Sequence, residues 1–131
     1  MTTSRSTTGK TGETIASKYL EGKGYKILER NHRQKYGELD IVATAQDGTL
    51  VLIEVKTVSG EDPAISAEDQ MTSAKIDKFN RAAYAYANHY FKNKDDSKGF
   101  RLDLVTVNLN GNPSTVSGRA SCRIKHYKNI S

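Results

Sequence analysis

Apolar positions along the chain follow two periods and switch between them several times. From Thr11 to about Lys23, the residues Ile15, Ala16, Tyr19 and Leu20 fall at helical spacing, with Thr11 as N-cap and Gly22 and Gly24 as a stop. Tyr25 to Asn31 reads as a short strand. Gly37 marks a turn into Glu38 to Ala45, where Leu39, Ile41 and Ala43 are expected on one face and Asp40 and Val42 on the other. Gln46-Asp47-Gly48 then joins this run to Thr49 to Lys56, a β-branched stretch ending in charge, and the pair predicts a hairpin. Val58 to Asp69 carries Gly60, Pro63 and four acids and predicts a loop. Between Met71 and Phe91 the residues Met71, Phe79, Ala82, Ala83, Tyr86 and Tyr90 gather on one stripe of a long helix. Arg101 to Leu109 alternates as a strand, Asn110 to Gly118 is a polar turn, and Cys122 to Tyr127 is a short last strand. With the long helix crossing between strands, the order αβββαββ predicts an α/β domain, a central mixed β-sheet flanked by helices.

Composition narrows the class. The 131 residues are 36% hydrophobic and 27% charged, enough for one core and too few for two. Residues 1–10 are rich in Ser, Thr and Gly and read as a disordered tail, leaving 11–131 as a single domain. The lone Cys122 excludes a disulfide framework and a thiolate metal site, and it reads as a core residue. No stretch approaches the roughly 20 apolar residues of a membrane span, and no secretion signal is visible, so the expected location is the cytoplasm, away from membranes.

Charge is unevenly spread, and this changes the picture more than the net value of +5. Residues 1–35 hold 8 Lys/Arg and 3 Asp/Glu, residues 36–70 hold 1 and 8, and residues 71–131 hold 11 and 4. Basic flanks suit a polyanion such as nucleic acid. The acidic middle would repel the same phosphates unless a cation reversed its sign, and a divalent metal ion is the usual means. If the two central runs pair as a hairpin, Asp40 and Glu54 come to the same end of the sheet. Period-two alternation then puts Glu54 and Lys56 on one face, with Val55 on the other. Oxygen ligands of this kind suit Mg²⁺ or Mn²⁺ rather than zinc. A lysine beside such an ion can hold an attacking water or stabilise charge on phosphoryl oxygens. An ordinary strand-end salt bridge is the plainer alternative for Glu54 and Lys56.

Asp40 with Glu54-Val55-Lys56 resembles the signature of the PD-(D/E)XK nucleases. Together with Gly12-Glu13, Gly24-Tyr25-Lys26-Ile27-Leu28, Arg30-Asn31, Gly37-Glu38-Leu39-Asp40-Ile41-Val42-Ala43 and Leu52-Ile53-Glu54-Val55-Lys56-Thr57, the chain resembles the YraN-like family from about Thr11 to His126. The resemblance implies a restriction-endonuclease-like fold akin to archaeal Holliday-junction resolvases. It implies that Asp40 and Glu54 bind the metal, that the Val55 carbonyl adds a ligand, and that Lys56 acts on the nucleophile. Glu13 matches the first-helix glutamate that completes the site in related resolvases, and those proteins act as homodimers. The sequence departs from the pattern in lacking Pro before Asp40 and in placing Val58 where Arg is frequent.

Arg33 and Lys35 before the acidic strand, with Lys75 and Arg81 on the long helix, are the candidate contacts to nucleic-acid phosphates. Lys75 falls within the apolar stripe, where a lysine must snorkel or meet an anion. The expected activity is metal-dependent hydrolysis of phosphodiesters in DNA, in branched or recombination intermediates, by an endonuclease. The competing expectation is a catalytically inactive module on the same fold that binds nucleic acid or a protein partner.

Overall fold

The computed structural model describes residues 3–59, 71–110 and 121–130. Its elements are α1 (Thr3–Gly22), β1 (Lys26–Gln34), β2 (Gly37–Thr44), β3 (Leu50–Ser59), α2 (Ser73–Tyr90), β4 (Phe100–Asn110) and β5 (Ser121–Tyr127). The order αβββαββ is the expected one, and the strands form one mixed sheet in chain order, β1-β2-β3-β4-β5. Only β3 and β4 run parallel, from Leu50↔Phe100 to Ser59↔Leu109, with α2 in the chain between them. Among the described residues no helix is long and apolar enough to cross a membrane.

The helices cover opposite faces of the sheet. Ala16 and Leu20 of α1 pack with Ile41, Ala43, Val51, Ile53, Val55, Val105 and Val107. Phe79, Ala82, Ala83, Tyr86 and Ala87 of α2 pack with Leu39, Val42, Leu50, Leu52 and Leu102. A strand covered on both sides needs apolar residues at successive positions, and Leu50 to Ile53 are all fully buried. The stripe expected on the long helix is therefore its sheet-facing side. Thr72 caps α2 at its N-terminus, its hydroxyl accepting from Lys75 N–H.

Several boundaries differ from expectation, each for a physical reason. α1 begins at Thr3 rather than Thr11, so the segment read as a disordered tail enters the helix. Once a helix is nucleated, each added residue gains a hydrogen bond without needing an apolar face. β1 runs on past Asn31 to Gln34, which places Arg33 on the strand; an edge strand takes its order from its ladder, here up to Gln34↔Gly37. β3 extends to Ser59 because β4 continues to pair with it. Residues 60–70 of the expected acidic loop, residues 111–118 of the polar turn and the side chain of Cys122 lie outside the described residues.

The expected alternation in β2 breaks at Asp40: Leu39 joins Val42 beneath α2, while Ile41 and Ala43 lie beneath α1. The break coincides with the end of the β2–β3 ladder, whose last pair is Ile41↔Ile53. One step further along each strand stand Asp40 and Glu54.

On β4, Asp103 is completely buried. It accepts from Arg101 Nε at 3.0 Å and from Asn129 N–H at 3.0 Å, and it lies 2.7 Å from His126 Nε2. Arg101 Nη2 also donates to the Tyr25 hydroxyl at 2.6 Å. This cluster ties β4 to β5, to the residues after it and to the start of β1. In the sequence His126 has no evident partner, because Asp103 occupies a position that alternation alone leaves facing solvent.

Candidate active site

Where β2 and β3 part, a side chain takes over from the ladder. Asp40 Oδ2 accepts the Val55 N–H at 2.8 Å, which fixes the carboxylate at the mouth of the gap. Glu54, the next residue along β3 after the last pair, shares a face with Lys56, and their charged ends meet at 3.2 Å. Both side chains are about one-fifth exposed, so water still reaches the pair. The expected convergence of Asp40, Glu54 and Lys56 is present.

The electrostatics of this end of the sheet are unbalanced. Burial and the neighbouring Glu54 carboxylate push Asp40 up to about 8, with the Val55 N–H acting in the opposite sense and Glu13 adding to the rise. Glu13 approaches from α1. Its Oε1 is buried without a hydrogen bond, and the nearest cation, Arg30 Nη2, is 3.9 Å away. Burial raises the Glu13 pKa, the Arg30 charge opposes this, and Glu38 and Glu54 reinforce it. Gly12 permits the approach, because a Cβ at that position would overlap the Thr57 hydroxyl of β3. The helix therefore lies close against the strand one residue after Lys56.

A cavity of about 520 Å³ opens over the group, lined by Gly37, Glu38, Asp40, Glu54, Lys56, Lys75, Lys78 and Phe79. Carboxylates form its floor on β2 and β3, and α2 supplies two lysines. Lys75 is exposed at the N-terminal end of the α2 stripe, one turn before buried Phe79, so it reaches over the cavity rather than into the core. Lys78, not among the residues expected from the sequence, belongs to the same wall. Its three-residue spacing from Lys75, which puts both on one helix face, was the available signal. Glu38, inside the quoted strand motif, is the other lining residue not singled out.

The remaining candidates lie further out. Arg33 pairs with Glu38 at 2.9 Å across the β1–β2 ladder, with both side chains largely exposed. Lys35 sits at the following turn with its ammonium 5.7 Å from the Tyr36 ring centre. Arg81 is exposed on α2 and does not line the cavity.

The donor set can be tested against a metal ion. Among the described residues no three His, Cys, Asp or Glu side chains converge as a metal-holding group. Asp40 and Glu54 provide two carboxylates whose mutual repulsion a cation would relieve. Two carboxylates, a main-chain carbonyl, waters and a substrate phosphate make a set that Mg²⁺ accepts and zinc does not favour.

Comparison with known proteins bears on the whole of this region. A UPF0102 protein of Fervidobacterium nodosum is 37% identical over 118 residues, covering 90% of this chain and 77% of its own length. One from Flavobacterium johnsoniae is 40% identical over 103 residues, with 79% and 82% covered, and one from Kosmotoga olearia is 40% identical over 110 residues, with 84% and 90% covered. Among solved structures, Pyrococcus furiosus SfsA in complex with Ca²⁺ aligns with a TM-score of 0.37 at 14% identity, over 95% of this chain and 63% of that one. Residues 12–107, from the glycine beneath Thr57 to Val107 of β4, match the uncharacterised protein family UPF0102, and the chain belongs to that family.

Proposed function

We propose that the chain is a Mg²⁺- or Mn²⁺-dependent endonuclease that hydrolyses phosphodiester bonds in DNA. The observation that carries this reading is the meeting of Asp40, Glu54 and Lys56 beneath a cavity walled by Lys75 and Lys78. Asp40, Glu54 and the Val55 carbonyl would hold the ion, with Glu13, whose charge already acts on Asp40, adding to the negative field. When bound, the ion supplies Lewis acidity and charge neutralisation at the phosphate. Lys56 would position the attacking water and stabilise the charge that develops on the phosphoryl oxygens. Lys75 and Lys78 would hold phosphates of the strand and set its register, as backbone contacts do. In a four-way junction two strands must be cut symmetrically, so action on such a substrate calls for two copies of the chain.

A second reading has its own support. Glu54 is already paired with Lys56, and Asp40 already accepts from Val55, so each carboxylate has a partner within the fold. On that reading the site is inactive and the domain binds nucleic acid or a partner protein.

The test is strand cleavage of four-way, flap, linear and single-stranded DNA, and of RNA, in Mg²⁺ and Mn²⁺, with Asp40→Asn and Lys56→Ala proteins alongside. Metal-dependent cleavage by the wild type that falls at least about a hundredfold in both variants supports the nuclease, since removing one such stabilising group costs that much. Binding without cleavage by all three proteins supports the module.

A further inference from the structure

Among the described residues two large hydrophobic residues stand more than half exposed, Tyr36 at 54% and Tyr84 at 58%. Tyr84 is accounted for by packing, since its ring meets Phe100 edge-on at 5.2 Å. Tyr36 has no such aromatic neighbour among the described residues; the Lys35 ammonium lies beside its ring. It sits on the two-residue turn closed by Gln34↔Gly37, and that turn is pinned. Gln34 Nε2 donates to the Ala82 carbonyl of α2 at 2.6 Å, and a Cβ on Gly37 would touch the Ala82 side chain. Gly37 adopts φ +139°, open to glycine alone at low cost, and it lines the cavity above Asp40 and Glu54. The tyrosine ring is therefore held on a fixed support one residue from the cavity rim, with a cation beside it.

Resting on the nuclease reading, we infer that Tyr36 is a stacking platform for an unpaired base of the DNA strand whose phosphate lies between the two carboxylates and the α2 lysines. Aromatic faces next to cations bind bases without regard to sequence, and the stacking is lost when the ring is removed. In an intact duplex every base face is already covered by its neighbours, so such a ring has nothing to bind there. The platform thus assigns the substrate as DNA that is single-stranded or unpaired next to the cut, as at a flap or junction.

Fluorescein-labelled oligo(dT) and a blunt duplex of equal length serve as probes in Mg²⁺, with Asp40→Asn as the uncleaving parent. Adding Tyr36→Ala should weaken oligo(dT) binding about tenfold, Tyr36→Trp should restore it, and duplex affinity should change by less than about twofold. A 2-aminopurine placed in the oligonucleotide should lose fluorescence on binding the parent and keep it on binding Tyr36→Ala. Equal losses on both probes, or none on oligo(dT), overturn the platform while leaving the nuclease reading intact. If the wild type neither binds nor cleaves DNA of any form in Mg²⁺, the nuclease reading falls and the platform with it. Unchanged thermal melting of Tyr36→Ala separates these outcomes from misfolding.

Discussion

Two aspartates, both withdrawn from water, face opposite circumstances in this molecule. Asp103 is sealed in the sheet with Arg101, His126 and the Asn129 N–H around it, and although burial works against its charge these partners hold its pKa below the usual range. Asp40 has a single backbone donor and two carboxylates nearby, and it is pushed the other way. Burial by itself does not distinguish a structural carboxylate from one suited to chemistry; the sign of the charge nearest to it does. Asp103 fastens elements together, whereas Asp40 meets carboxylates whose repulsion a bound cation would offset.

Replacing Asp103 with Ala should break the comparison most severely. It leaves Arg101 and His126 without their anion and should cost about 3–5 kcal/mol in urea denaturation at pH 7. Asp40→Asn keeps an acceptor for Val55 and removes the repulsion. It should stabilise the protein by roughly 2–5 kcal/mol at pH 9, fading to nothing by pH 4. The sign follows from the raised pKa: between about 4 and 8 the folded state holds a proton that the unfolded chain has released, so the wild type loses stability as pH climbs. Asp103 slopes the other way, its contribution being complete above the unfolded carboxylate range and lost as the solution is acidified. The smallest effect should come from Mg²⁺, which at ten times its Kd should stabilise the wild type by about 1.4 kcal/mol and leave Asp40→Asn nearly unmoved. A calorimetric scan with and without the ion measures it.

What was legible in the sequence follows from the same physics. The hairpin carrying Asp40 and Glu54 declared itself because β2 and β3 are apolar strands with a short turn, and their spacing fixes which residues meet. The α2 stripe was equally plain, since burial against a sheet face imposes its period on the sequence. β1 runs past its expected end at Asn31 because His32 to Gln34 are polar and are ordered by pairing rather than by an apolar pattern. The break at Asp40 was hidden, because alternation describes a strand within a ladder and says nothing about where the ladder ends. Asp103 was missed for a related reason: a charge at a buried position looks like a solvent-facing one until its partners, from β5 and beyond, are folded onto it. Lys78 was visible only as one exposed cation among many until α2 was laid above the carboxylates.

The hydrogen bond from Val55 to Asp40 gives one oxygen two employments. It ends the β2–β3 ladder by accepting an amide that β2 leaves open, and it belongs to the carboxylate that any cation in the cavity would draw upon. A cation pulling on that carboxylate therefore pulls on the seam between β2 and β3, and loosening of the seam moves the carboxylate. Occupancy of the cavity and closure of the sheet at its open end are thus written in the same bond, with the Val55 amide as the place where either can be read from the other.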